Sequence, residues 1–207
     1  MHRSPSLGAK FAVWALILAC PGTAWCGKAP HRHDGFLLRL SGGPGHASTE
    51  VDENNGDNTD LSGLSGDLNI AIGGMVGKNL ALHGTIFAWR IGDPDLDVNG
   101  SSAGSLNGDV TMSAAGVGVT YWFMPTNLYL SGTLGFGELE FDLQGFSSAD
   151  IDLGLAFDAT VGKEWWVSAN WGLGLAGAIG MHSIPEDGVN DNWSGVSVGL
   201  RFSATFN

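Results

Sequence analysis

The feature that most restricts what this chain can fold into is a two-residue alternation of apolar with polar or very small side chains. It is clearest at the C-terminus, where Val196, Val198, Leu200, Phe202, Ala204 and Phe206 alternate with Ser197, Gly199, Arg201, Ser203 and Thr205. Successive side chains of a strand point to opposite faces, so this pattern makes a strand with one apolar and one wet face. The same rhythm runs through 64–73, 151–161 and 171–182. Eight such segments are predicted, over 35–46, 63–76, 79–92, 109–123, 127–142, 150–162, 170–183 and 195–206. Each is near or above the roughly 9–11 residues that a tilted strand needs to cross a bilayer. With 33 glycines among 207 residues, more than twice average usage of about 7%, the composition suits a curved, closely packed sheet.

The connections alternate in kind. Gly77-Lys78, Met124-Pro125-Thr126 and 162–169 are short, whereas 47–62, 93–108 and 184–194 are long, polar and rich in Asp, Asn, Gly and Ser. The link at 144–149 is short for its side. Short turns on one side and long loops on the other suit a transmembrane barrel with periplasmic turns, which puts both chain ends in the periplasm. Tyr121, Trp122, Phe123, Tyr129, Trp165, Trp166 and Trp171, with Phe36 and Phe206, fall at strand ends on the short-turn side, where a membrane-interface girdle is expected. Phe87, Trp89, Phe141 and Trp193 lie toward the other ends and suggest a second, weaker girdle.

Residues 1–24 read as a secretory signal peptide, with a positive start (His2, Arg3, Lys10), an apolar run from Phe11 to Ala19 and small residues up to Ala24. Residues 25–34 read as a polar periplasmic segment and 35–207 as the barrel domain. Cleavage after Cys26 is an alternative, and Ile17-Leu18-Ala19-Cys20 has the outline of a lipidation motif. Both cysteines, Cys20 and Cys26, lie in or beside this leader, so disulfides do not staple the fold. Beyond Ala24 the chain keeps all 21 acidic residues against seven Lys and Arg. Such an excess repels phosphate backbones and argues against nucleic-acid binding.

These features resemble the small eight-stranded outer-membrane β-barrels of Gram-negative bacteria, the family typified by the OmpA membrane domain and OmpX. The resemblance covers the whole chain after the leader, and its most specific part is the last strand. There Gly199, Phe202 and Phe206 look like the assembly signal read by the barrel assembly machinery, although Asn207 follows the usual terminal aromatic. Segments 118–123 and 161–166 look like the strand-to-turn boundaries of such barrels. The resemblance implies an all-β, antiparallel up-and-down transmembrane barrel, monomeric and in contact with outer-membrane lipid and lipopolysaccharide; no enzymatic activity is expected, for want of a nucleophile, base and orienting acid on one face.

Candidate chemistry is sparse. Asp93, Asp95, Asp97, Asn99 and Gly100 alternate oxygen ligands, and Asp52, Glu53, Asn54, Asp57 and Asp60 form a second acidic cluster. Ca²⁺ takes six to eight oxygens, so calcium at these loops is the one cofactor to consider. The spacing is not that of an EF-hand, and a solvated acidic loop is the default. Acidic loops facing outward are also candidates to meet lipopolysaccharide phosphates through divalent ions. His31 and His33 lie in the polar segment before the first strand, where a flexible tail outweighs a metal site.

Arg39, Asp67, His83, Asp158, His182 and Arg201 share the inward phase and are expected to form a polar lumen network, because a charge in a narrow lumen must be paired. Inward glycines at 154, 172, 174, 180 and 199 leave open a narrow water path or small pocket. His182-Ser183 has the look of a hydrolase pair, but neighbours on a strand face opposite ways. The expectation is a structural or surface-interaction barrel presenting acidic loops. The alternatives are a narrow pore or small-solute transporter, and less favoured, a soluble ligand-binding barrel or a lipid-modifying enzyme.

Overall fold

A computed structural model of the chain describes residues 33–52, 57–144, 153–185 and 191–207, with Asp52 described in backbone alone. The expected signal peptide, the polar segment up to residue 32 with His31, both cysteines, Glu53 and Asn54, and the stretch 145–152 lie outside the described residues.

Ten strands form: β1 (Phe36–Asp52), β2 (Asn58–Gly77), β3 (Leu80–Gly92), β4 (Asp95–Val98), β5 (Ser101–Ser105), β6 (Gly108–Phe123), β7 (Leu128–Leu143), β8 (Gly154–Trp166), β9 (Trp171–Pro185) and β10 (Asn192–Phe206). Eight of them, all but β4 and β5, pair antiparallel in sequence order. The ring closes where β1 meets β10, from Leu38↔Phe206 to Val51↔Trp193. Closure leaves no open edge among the barrel strands, which is what lets strands cross a membrane.

Short turns join the strands at the lower end. Asn79 (φ 58°) and Asn127 (φ 53°) take the left-handed conformation there, which Asn tolerates better than most side chains. At the upper end the strands outrun the predicted boundaries. Much of the expected loop 47–62 is paired, Ala47↔Gly63 through Asp52↔Asn58. Ala47, Thr49 and Val51 keep the inward phase, while Ser48 and Glu50 keep the outward one. The expected loop 93–108 contains the β4–β5 hairpin, which lies along the outer end of β2 with Leu61↔Leu96. Its turn is Asn99-Gly100, both at positive φ (52° and 72°), the residue pair that a two-residue hairpin turn favours. The β8–β9 connection is shorter than 162–169, because β8 runs on to Trp166.

Along each strand the inward and outward phases hold, but their chemistry changes over. The outward face of β7 runs Leu128, Leu130, Leu134, Phe136 and then Glu138, Glu140, Asp142; on β6 it runs Phe123, Tyr121, Val119, Val117 and then Ser113, Thr111, Asp109. On β3 it passes from Leu82 and Ile86 to Arg90, and on β2 from Leu68 and Leu64 to Ser62 and Asp60. The lower outward side chains are exposed and apolar, Leu200 and Phe202 at 66% each. Inside, polar residues such as Thr85, Asn69 and Thr120 fill the middle, above a small cluster of Leu37, Ala81, Trp122, Tyr129 and Ala176 at the turn end, and a larger buried apolar core of Leu61, Phe87, Trp89, Ile91, Val110, Met112, Leu139 and Ile184 lies above them. A wall that is apolar outside and polar inside suits lipid, and one that is polar outside and apolar inside suits water. The changeover marks the upper membrane boundary, and above it the barrel continues as a water-facing extension with its own dry core.

This parity corrects the girdle. Tyr121, Phe123, Trp165 and Trp171 point outward and are exposed, joined by the Phe36–Phe206–Trp171 ring contacts. Trp122 and Tyr129, at 0% and 1% exposure, point into the barrel, and half-buried Trp166 shares that inward phase. They sit at the right height for a girdle but on the wrong face, since each neighbours an outward residue. The upper girdle is overturned in the same way. Phe87 and Trp89 belong to the inner core, with Phe141 and Trp193 packed against it.

Candidate functional site

Among the described residues, charged and polar side chains from distant strands converge in the interior, which can be followed upward from the turn side. At the bottom, His33 stacks on Trp122 (4.2 Å between ring centroids) and lies against Trp166 (5.0 Å). Trp122 Nε1 donates to Glu164 Oε2 at 3.0 Å, and Thr205 Oγ1 donates to Glu164 Oε1 at 2.6 Å. Next, Arg39 of β1 reaches the diametrically opposite strand β7. Its Nη2 donates to Ser131 Oγ at 2.8 Å, and its guanidinium lies 4.9 Å from the Tyr129 ring centre, a cation–π distance.

Above that comes a charge cluster built by three strands. Arg201 of β10 holds Asp67 of β2 through Nε (2.6 Å) and Nη2 (3.1 Å). It holds Asp158 of β8 through Nη2 (2.6 Å) and Nη1 (3.0 Å), and Nη1 also donates to Thr160. Asn69 Nδ2 adds a donor to Asp158 at 3.1 Å. Strands β2 and β8 are on opposite sides of the ring, so one guanidinium ties the walls together across the lumen. Fork-to-carboxylate pairing of this kind is the geometry that a buried arginine requires. His83 hydrogen-bonds the Thr85 and Thr120 hydroxyls at 2.7 and 2.9 Å, and His182 Nε2 meets Thr49 Oγ1 at 3.0 Å. At this upper level Trp89 of β3 and His182 of β9 face each other across the barrel, ring centroids 5.6 Å apart.

Of the inward glycines named above, those at 174 and 180 would place a Cβ 2.5 Å from the Ser203 and Ser197 hydroxyls. Two further inward glycines are sockets for large side chains on neighbouring strands. A Cβ on Gly162 would lie 2.6 Å from Tyr129 Cε1, and one on Gly118 would lie 2.5 Å from His83 Cε1.

The other candidate residues are dispersed. Gly199 faces inward beside Asp67, while Phe202 and Phe206 face outward on the last strand. The oxygen ligands considered for calcium are engaged in shaping the upper hairpin. Asp95 Oδ1 accepts from Ser105, Asp93 Oδ1 from the Gly108 N–H, and Asn99 Oδ1 from the Asn58 N–H. Among the described residues no three His, Cys, Asp or Glu side chains come together as a metal-holding group. Ser183 is exposed on the outer face and His182 is buried on the inner one, so that pair does not meet.

Glu164, Asn127 and Asn207 are interior residues that the sequence reading passed over. Glu164 shares the inward phase of Asp158 and was legible on that ground. Asn127 and Asn207 lie in a turn and at the chain end, where alternation gives no phase.

No protein-family model matches the sequence, and no curated protein matches it. Among solved structures, the outer membrane protein OprG from Pseudomonas aeruginosa superposes with a TM-score of 0.51 at 18% identity, covering 86% of this chain and 99% of that one. The chain has the small outer-membrane barrel fold. Neisserial surface protein A (16% identity, TM-score 0.46, 81% and 96% covered) and the Yersinia pestis attachment invasion locus protein Ail (15%, 0.44, 82% and 99%) are further structures of this kind. Identities this low speak to the barrel fold alone, and the interior contacts described above belong to this chain.

Proposed function

We propose that this outer-membrane barrel works as a closed scaffold, presenting its folded acidic extension at the cell surface, with both termini in the periplasm. The observation that carries the reading is the lumen. Opposite walls are joined at successive heights by Arg39 with Ser131, by Arg201 with Asp67 and Asp158, and by the Trp89–His182 contact. A solute path would have to break each of these in turn. Above the membrane boundary, β1, β2 and the annexed β4–β5 hairpin form paired sheet bearing Glu50, Asp60, Asp95 and Asp97. A paired, acidic surface of this kind favours contact with cationic or metal-bridged partners over anionic ones. The outer apolar belt is in contact with lipid, and no enzymatic step is assigned. The buried Thr49–His182 pair has no carboxylate on the other ring nitrogen among the described residues.

The test is electrical. Refolded protein inserted in planar bilayers is expected to give no discrete conductance steps, and reproducible steps would replace the scaffold by a pore. In cells, excising 94–107 should leave a heat-modifiable barrel and abolish the surface phenotype of the intact protein. A full phenotype without the hairpin would count against surface presentation.

A further inference from the structure

We propose that His33 is the pin of a periplasmic strap: the short stretch His33–Gly35 crosses the lower mouth of the barrel, and access to the lumen from below depends on its being seated. The imidazole joins both sides of the wall. Asn207, just past β10 at the closing seam, donates from Nδ2 to His33 Nδ1 at 2.6 Å. Because Nδ1 accepts, Nε2 carries the proton and donates to Asn127 Oδ1 at 2.6 Å. Asn127 sits in the β6–β7 turn, across the ring from the seam, and its Nδ2 donates to the Glu164 carbonyl at 3.2 Å. Trp122 covers one side of the ring nearly parallel, at 20°, and Trp166 is tilted against it at 38°.

Asn207 gives the residue beyond the terminal aromatic a purpose. Phe206 points to the outer girdle, so the next side chain is the first that can turn inward at this height. Its backbone N–H is fixed to the Asn170 carbonyl at 3.0 Å.

The seat is made for release as well as for closure. His33 lies three residues before β1 and takes no part in the strand ladder, so lifting its side chain breaks side-chain contacts while the Met75 N–H to Gly35 carbonyl bond (2.8 Å) holds the far end of the strap to β2. Behind it the buried Arg39 Nη1 has no protein hydrogen-bond partner among the described residues.

Acid acts on the same contacts. Burial holds the imidazole below the ordinary histidine value. The charged group that faces it is the Glu164 carboxylate on β8, which pulls the other way. The Asn127 and Asn207 amides and the β6 and β8 indoles carry no charge. A second proton puts an N–H on Nδ1 opposite the Asn207 amide N–H. A depressed histidine pKa means that the seat is intact above about 6.5 and weakens as pH falls below it. The strap is independent of the surface role, because the Arg201 cluster still closes the lumen when the mouth is open.

The experiment uses the refolded full chain with C20S and C26S. A cysteine at the buried, inward Ser203 is labelled with a small cationic thiol reagent, and its rate is divided by that of a cysteine at exposed Ser168 in the β8–β9 turn. Because the two thiols differ in surroundings and hence in pKa, the ratio is read against its own pH profile in His33→Ala. It is expected to rise as pH drops from 8 to 5 in the otherwise unaltered chain. It should rise at least tenfold at pH 8 in His33→Ala, with heat-modifiable mobility retained. Asn207→Ala, which keeps the imidazole, should move the ratio in the same direction and serves if His33→Ala does not fold. A ratio unchanged by the substitutions, or one flat with pH in the parent, overturns the proposal.

Discussion

Replacing Arg201 with Met is expected to destabilise the barrel by about 3–5 kcal/mol, the usual result of removing one partner from a buried ion cluster. The reason is geometric. Arg201 is 3% exposed and supplies the cation for two buried carboxylates on opposite walls, Asp67 and Asp158, with five hydrogen bonds from one guanidinium to three side chains. Without it two negative groups face a low-dielectric lumen, with Asn69 and Thr160 left as donors to Asp158 alone. Urea unfolding in detergent micelles or vesicles measures the loss. The triple variant Asp67→Leu, Asp158→Leu, Arg201→Met should regain most of it, because a buried cluster replaced entirely by apolar residues is often neutral. A single variant within 1 kcal/mol of the parent would mean that the cluster is hydrated and the lumen wet at this level.

Trp89→Ala is the second large effect, again about 3–5 kcal/mol, the range for truncating a buried aromatic. Trp89 is 2% exposed in a core with Phe87, Ile91, Val110, Met112, Leu139 and Ile184. This core lies above the height at which the outer wall turns polar, so its side chains are shielded from water by one another and not by lipid. The same unfolding assay reads the loss, and intrinsic tryptophan emission reports whether the rest of the barrel keeps its native environment. A cost below 1 kcal/mol would show that the upper interior is already open to solvent, and would favour a solute path over a scaffold.

Much of this architecture is readable from alternation alone. The eight barrel strands and the inward placement of Arg39, Asp67, His83, Asp158, His182 and Arg201 follow from a side-chain period of two, and the up-and-down order is what the resemblance to small outer-membrane barrels implies. What was hidden has physical reasons. Strand ends above the membrane carry Ser, Thr, Glu and Asp on their outer face, as at Ser48 and Glu50, and so resemble loop. The β4–β5 hairpin has the composition of a solvated acidic loop, and Asn99-Gly100 is its one turn signal. Trp122 and Tyr129 were placed by height along the strand when parity should have decided the face. The His33 seat depends on a turn and two chain ends brought together by closure of the ring, a tertiary fact that no local pattern encodes.

Strand β7 offers the most direct test of the central claim, a lipid-embedded wall that gives way to a water-facing extension. Nitroxide labels placed singly at Leu130, Leu134, Phe136, Glu138, Glu140 and Asp142 in vesicle-reconstituted protein report local oxygen and water-soluble nickel-chelate accessibility. Oxygen should dominate at Leu130, Leu134 and Phe136, with the nickel chelate taking over at Glu138 and beyond. Nickel-chelate access at Leu130 and Leu134 equal to that at Asp142 would contradict the account, since the outer wall would then face water along its whole length.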